Sequence, residues 1–276
     1  MFLFHYHVFP PGMLDKNNPK RGTVDELVEI LERLGIEKAA VFPVFNFPEA
    51  RPFASPEFDP NKWIYEVLRE KGYGNIYPFI IVNPKDGWSA IQTLREYLNK
   101  GFVGVKIHPP IYKIRVNDPA FHQFYYTCEE LQVPVVFHTG IFRHWKLKYY
   151  RPLLLDEVAQ EYPQMPIILA HTGGAAFFHE ALAVIQNNPN CYAELSGTLN
   201  PNSPWHIPEE DLLLIRLVGS SRIIYGADAH SEEQIRRDIE YINSLDISRE
   251  DKENILGGTL ESLIQRAGKK IYSTVK

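Results

Sequence analysis

Val133-Pro134-Val135-Val136-Phe137-His138-Thr139-Gly140 and Pro166-Ile167-Ile168-Leu169-Ala170-His171-Thr172-Gly173 are two short apolar runs that end the same way, in His-Thr-Gly. A near-continuous run of this kind reads as a parallel strand covered on both faces rather than a half-exposed antiparallel one. The glycine that follows lets the backbone turn sharply while the imidazole stays at the strand end. Six more runs have the same character: Phe2-His7, Ala39-Val44, Ile76-Val82, Val103-His108, Cys191-Leu195 and Arg222-Gly226. With Pro134-His138 and Ile167-His171 they make eight candidate strands whose starts are roughly 25 to 37 residues apart, the period of strand, crossover helix and next parallel strand.

The helices between them announce their starts. Thr23-Val24-Asp25-Glu26 is a capping box ahead of Leu27, Ile30, Leu31 and Leu34 on one face, and Gly35 stops the helix. Asp59-Pro60 and Asp118-Pro119 each pair an N-cap with a proline in the first turn, and Ser231-Glu232-Glu233-Gln234 opens a late helix. Eight such units predict a (β/α)8 barrel in which residues 1–276 form one domain. A doubly wound open sheet is the main competitor, but it usually carries a glycine-rich phosphate turn, and no GxGxxG or Walker pattern occurs. Pro- and Gly-rich segments near residues 8 to 22, 45 to 60, 109 to 117 and 197 to 208 read as loops that follow strands.

Composition removes several function classes. The 276 residues are 45% hydrophobic and 23% charged, values of a folded chain that exclude disorder and collagen-like structure. Lys plus Arg at 29 against Asp plus Glu at 34 gives net charge -5, the wrong sign for nucleic acid. No apolar run reaches the ~18 residues of a membrane span, and the opening MFLFHYHVF lacks the basic segment and cleavage site of a signal peptide. A cytoplasmic protein with a small-molecule substrate is expected, and a homo-oligomer is compatible with the same numbers. Cys128 and Cys191 form no CxxC, so any metal must be held by His and carboxylate.

The chemistry collects at one end of the predicted barrel. His5, His7, His108, His138 and His171 fall at or near the C-terminal ends of strands, and Asp228 follows the eighth, on the rim where barrel active sites are built. In His5-Tyr6-His7 the strand period of two turns both imidazoles to the same side, where they can bind one ion. A buried histidine bonded to a loop carbonyl is the ordinary explanation for His138 or His171 alone, but their recurrence in the same position argues against it. Asp228 competes with Ser231 for the cap of the late helix, and Ser231 is better placed, which leaves the carboxylate available. His122, His179, His206 and His230 read as structural or surface residues.

HYH on the first strand, VVFHTG on the fifth, ILAHTGG on the sixth and IIYGADA on the eighth together resemble the amidohydrolase superfamily of metal-dependent barrels. They are most similar to the amidohydrolase-related branch that includes aminocarboxymuconate semialdehyde decarboxylase. The segment Glu253-Asn254-Ile255-Leu256-Gly257-Gly258-Thr259 is similar to the C-terminal helix motif of that branch. The resemblance covers essentially the whole chain. It implies a slightly distorted TIM barrel with an extra C-terminal helix, His5, His7, His138 and Asp228 as metal ligands, and His171 in an acid-base or electrostatic role. The chain departs from the family pattern at Leu3, where an Asp usually precedes the first histidine, and at Thr259, where Asn is usual. The first departure removes expected support of the His5/His7 pair, and the second bears on packing.

Lys106 lies on the fourth strand, where binuclear members such as phosphotriesterase carry a carboxylated lysine that bridges two metals. The overall pattern is closer to the mononuclear branch, so one divalent ion is expected, zinc first and manganese second, with Lys106 and His108 facing substrate. In Ile141-Phe142-Arg143-His144-Trp145-Lys146, Arg143 can clamp a carboxylate and Trp145 can stack on a flat ring. The implied reaction is hydrolysis of an amide, lactone or ester by metal-activated water, with Asp228 as general base and His171 polarising the carbonyl. The alternative is non-oxidative decarboxylation of an aromatic or unsaturated acid, which the ligand set alone does not separate from hydrolysis.

Overall fold

Eight parallel strands pair in chain order: β1 (Phe2–Val8), β2 (Lys38–Pro43), β3 (Ile76–Ile81), β4 (Gly104–Ile107), β5 (Val135–His138), β6 (Ile167–Ala170), β7 (Cys191–Glu194) and β8 (Ile223–Ile224). The computed structural model describes residues 1–45, 57–141, 145–199 and 206–274. Helices lie between successive strands, as the βα period requires. The ring closes through one parallel bridge between Phe4 and Gly226, helped by Ala227 N–H donating to the Phe4 carbonyl at 2.9 Å. This thin seam, together with the two-residue β8, is the distortion of the barrel.

The caps form as the sequence predicts, with one change of partner. Thr23 Oγ1 accepts the Glu26 amide at 3.2 Å, but the Glu26 carboxylate reaches past Thr23 to the Gly22 amide at 2.5 Å. Asp59 and Asp118 cap the turns that begin at Pro60 and Pro119, and Ser231 caps Glu232–Ser244. Asp228 is therefore not consumed as a cap.

Leu3, Val105, Ile107, Phe137, Leu169 and similar outward side chains fill the layer between strands and helices. Inside the ring, Phe4, Phe42 and Phe79 pack at 5.2–5.4 Å between centroids, Phe42 edge to face with the other two and Phe4 tilted on Phe79, with Val136, Ile168 and Ile224 beside them. At the N-terminal end of β1 this interior meets Leu260 and Leu263 of the C-terminal helix Thr259–Thr274. The Glu253–Thr259 segment leads into that helix as a π-helical turn, Asn254–Gly258. With the bottom filled by apolar groups, the opposite end is left for polar chemistry.

β1 carries a bulge. Leu3 faces Ala39 and Tyr6 faces Val41, so Phe4 and His5 together oppose Ala40. His5 sits at φ 53°, a left-handed conformation costly for a residue with a Cβ. The extra residue keeps Phe4 in the interior and still turns His5 and His7 to the same mouth, while Tyr6 packs outward.

Candidate metal and substrate site

The C-terminal mouth of the barrel holds a cavity of about 600 Å³. Phe9, Phe45, Ile111, Ile141 and Trp145 form much of its wall, and His7, His138, His171 and Asp228 lie on its polar side. The polar groups arrive from five different strands. His5 and His7 come from β1, Lys106 from β4, His138 from the end of β5, His171 from just after β6, and Asp228 from the turn after β8. Asp228 is held by its own amide, which donates to the His5 carbonyl at 2.6 Å and locks the two ends of the seam together.

Asp228 Oδ1 is 3.8 Å from both His5 Nε2 and His7 Nε2, and Oδ2 is 3.9 Å from His171 Nε2. His5, His7 and Asp228 form a set whose ligand atoms lie within 4.8 Å of one another. His138 belongs to no such set among the described residues. It joins through His171, whose Nε2 is 3.1 Å from His138 Nδ1, and its own Nε2 is buried without a hydrogen-bond partner among the described residues. Burial, reinforced by the neighbouring imidazoles and Lys106, lowers the pKa of His5, His7 and His138 well below the ordinary value, so each keeps a lone pair at neutral pH. Neutral imidazoles, a carboxylate and an unpartnered buried ring nitrogen are a donor set that suits a divalent transition ion.

Lys106 is fully buried inside the barrel rather than on its rim. Its Nζ lies 3.3 Å from His5 Nε2 and 4.8 Å above the Phe42 ring. Burial pulls its pKa down, against the pull of Glu194 and Asp228, while burial pushes Asp228 up against the pull of Lys106. His108 stacks on His138 at 3.9 Å and meets Trp145 edge to face at 5.4 Å, so both stand in the cavity wall. Arg143 lies outside the described residues.

Three residues of the site were not singled out by the sequence reading. Glu194, at the end of β7, is completely buried. It accepts hydrogen bonds from His5 Nδ1 at 3.1 Å, the His171 amide at 2.9 Å, the Ser196 amide at 3.0 Å and Ser196 Oγ at 2.8 Å. The support that Leu3 cannot give to His5 is thus supplied from β7, two strands away across the seam. Ser196 places its Oγ 3.0 Å from both His5 Nδ1 and His171 Nδ1. His230, expected to be structural or on the surface, lines the cavity and donates from Nε2 to the His7 carbonyl at 2.7 Å. An acidic residue at the rim end of an apolar strand, in the position that His138 holds on β5, was the available signal for Glu194.

Several solved structures share this fold. An uncharacterised TIM-barrel protein from Bordetella bronchiseptica superposes with a TM-score of 0.76 at 19% identity, over 97% of this chain and 100% of that one. A dihydroxybenzoic acid decarboxylase from Polaromonas sp., with bound manganese and the inhibitor 2-nitroresorcinol, gives 0.71 at 17% identity, over 96% of each chain. A candidate 2-pyrone-4,6-dicarboxylic acid hydrolase from Pseudomonas putida gives 0.65 at 16%, over 96% of this chain and 97% of that one. At these identities the likeness speaks for the fold alone. No curated protein sequence matches the chain. The amidohydrolase family profile, however, matches residues 44–259, a span running from the end of β2 through the Asp228 turn to the start of the last helix, and the chain belongs to the amidohydrolase family.

Proposed function

We propose that the chain, as one domain over residues 1–276, is a metal-dependent hydrolase that opens an amide, lactone or ester bond in a small cyclic or carboxylated molecule. The observation that carries this reading is the convergence of His5, His7 and Asp228 beside the unpartnered Nε2 of His138, at the mouth of a largely apolar cavity. These four residues would hold one divalent ion, zinc first and manganese second. When bound, such an ion supplies Lewis acidity, which brings the pKa of water from about 16 toward ~7 and draws electron density from a reacting carbonyl.

The remaining steps belong to the chain's own side chains. Asp228, at the cavity mouth 3.8 Å from both His5 and His7, takes the proton of the attacking water and passes it to the leaving group. His171 Nδ1 lies 3.0 Å from the Ser196 carbonyl, which only accepts, so the neutral ring has an acceptor at Nε2. In that state it does not donate to a developing oxyanion; its Nε2, 3.9 Å from Asp228 Oδ2, can only steady the single proton that Asp228 carries from water to the leaving group. Lys106, already engaged with His5 and the Phe42 face, favours one ion over a pair bridged by a carboxylated lysine. His108 and Trp145 offer an aromatic wall for a flat substrate.

Decarboxylation is the second reading, and the aromatic wall of His108 and Trp145 in the cavity that Asp228 lines, suited to a flat aromatic acid, favours it. When a C–C bond breaks and carbon dioxide leaves, the electron pair stays on the carbon, and a carboxyl group of the site such as Asp228 is placed to deliver a proton there. Metal analysis of the purified protein, followed by assays of lactones and aromatic carboxylates with carbon dioxide monitored, tests both. Ring opening without gas supports hydrolysis, and gas release supports the lyase. His5 and His7 replaced together by Ala should lose bound metal, and stoichiometric metal in that variant would reject the ligand assignment.

A further inference from the structure

Building on that metal reading, we infer that Glu194 is a positioning residue: its carboxylate fixes His5, and through Ser196 and His171 also His138, in the tautomer that presents an unprotonated Nε2. A ring that offers a lone pair to an ion is neutral, so each of these histidines has one ring proton to place. The Glu194 carboxylate already accepts from the His171 and Ser196 amides, and its Oε2 is 3.1 Å from His5 Nδ1, so the proton sits on Nδ1. The opposite edge of the ring demands the same. Lys106 Nζ, a donor, lies 3.3 Å from Nε2 and needs a lone pair there.

The second branch starts from the same carboxylate. Glu194 grips Ser196 twice, at the amide and at Oγ, and so orients the Ser196 carbonyl toward His171. That carbonyl fixes the His171 proton on Nδ1 and leaves Nε2 as an acceptor. His138 Nδ1, 3.1 Å away, must then donate, which leaves His138 Nε2 bare, the same atom that is buried without a partner. Four donors converge on Glu194, and a Cβ at Gly226 would overlap its carboxylate and approach His5 Cβ to 2.8 Å. The glycine of IIYGADA is the space in which this carboxylate sits. Carboxylates that orient metal-binding histidines in this way change metal affinity 10- to 100-fold when removed.

The test begins with the wild-type protein, freed of metal, by long-range 1H–15N correlation of its imidazoles. His5, His138 and His171 should all carry the proton on Nδ1, and a proton on His5 Nε2 would overturn the inference. Glu194→Gln is the perturbation, because either amide orientation sets an NH2 group against a donor that the carboxylate accepts. Its affinity for Mn²⁺ alone and for Zn²⁺ alone should fall 10- to 100-fold, with mixed His5 tautomers, and an affinity within twofold of wild type would also overturn the inference. Should the variant not fold, the wild-type tautomers still decide. A wild-type protein that binds neither ion rejects the metal reading, while the proton positions judge the role of Glu194 separately.

Discussion

Gly226→Ala isolates the packing that the site depends on. Gly226 has no positive φ, so alanine brings no backbone penalty there, and the whole effect is the methyl group. That methyl would stand 2.8 Å from His5 Cβ and 2.9 Å from Glu194 Cδ, with a carboxylate oxygen closer still. Overpacking of this kind costs about 1–3 kcal/mol. If Glu194 moves to make room, at least one of its buried donors loses its acceptor, for about 1–3 kcal/mol more. A total near 3 kcal/mol lowers Tm by roughly 6–12 °C in a chain of this size. Gly74→Ala is the control, since a Cβ there meets nothing within 4 Å and should change stability by less than about 0.5 kcal/mol. Thermal unfolding of both variants, with Mn²⁺ titration of each, reads the difference, and metal affinity should fall with Tm in Gly226→Ala only. Equal melting and equal affinity in the two variants would refute the packing argument.

Asp228→Asn keeps the size of the side chain but removes the base, so kcat on a confirmed substrate should fall about 10²- to 10⁴-fold at matched metal content, with KM changed less. Chelation should lower Tm, because an ion present at 100 times its Kd stabilises the fold by about 2.7 kcal/mol; a chelated protein that melts unchanged would count against a resident ion. Burial raises buried Asp211 to about 7, against the Tyr241 hydroxyl and His206. Because its folded-state pKa lies above the unfolded value of 3.8, its stabilising contribution is complete below pH 3.8 and is lost as pH rises through about 7. Asp211→Asn should therefore gain on wild type by up to about 4 kcal/mol between pH 4 and 7.5, measured by denaturant unfolding across that range.

Strand positions were legible because each β-branched run is buried on both faces and bounded by turn residues. β8 is the exception: the run from Arg222 to Gly226 reads as a strand, but after Ile224 the chain leaves the ladder, and only the Phe4–Gly226 bridge remains. His5, His7, His138, His171 and Asp228 were readable as a group because all five occupy one rim. Glu194 escaped notice because, in Cys191-Tyr192-Ala193-Glu194, an acidic residue reads as the outward member of an alternating strand. The β1 bulge was not legible at all, because it arises from pairing with β2 and from the Asp228 amide on the His5 carbonyl, both distant in sequence. Lys106 was singled out as a residue facing substrate, yet it is buried beneath His5 and absent from the cavity wall, a placement that depends on Phe42 from another strand.

The repeated His-Thr-Gly acquires a mechanical meaning once the strands are side by side. Thr139 Oγ1 donates to the Ala170 carbonyl at 2.7 Å and accepts the Gly173 amide at 2.9 Å, tying β5 to the turn after β6. Thr172 Oγ1 repeats the step, donating to the Glu194 carbonyl on β7 at 2.9 Å. Gly140 is pressed against the His171 ring, where a Cβ would come within 2.7 Å. Four of the six described non-glycine residues with positive φ, namely His5, His171, Thr172 and Asp228, lie within this network, and such conformations cost on the order of 1–3 kcal/mol each. They persist because each is held from two strands. That rigidity follows from the protein's own hydrogen bonds, so the donor atoms are aimed before any ion or substrate arrives, and the energy of binding need not be spent on assembling them.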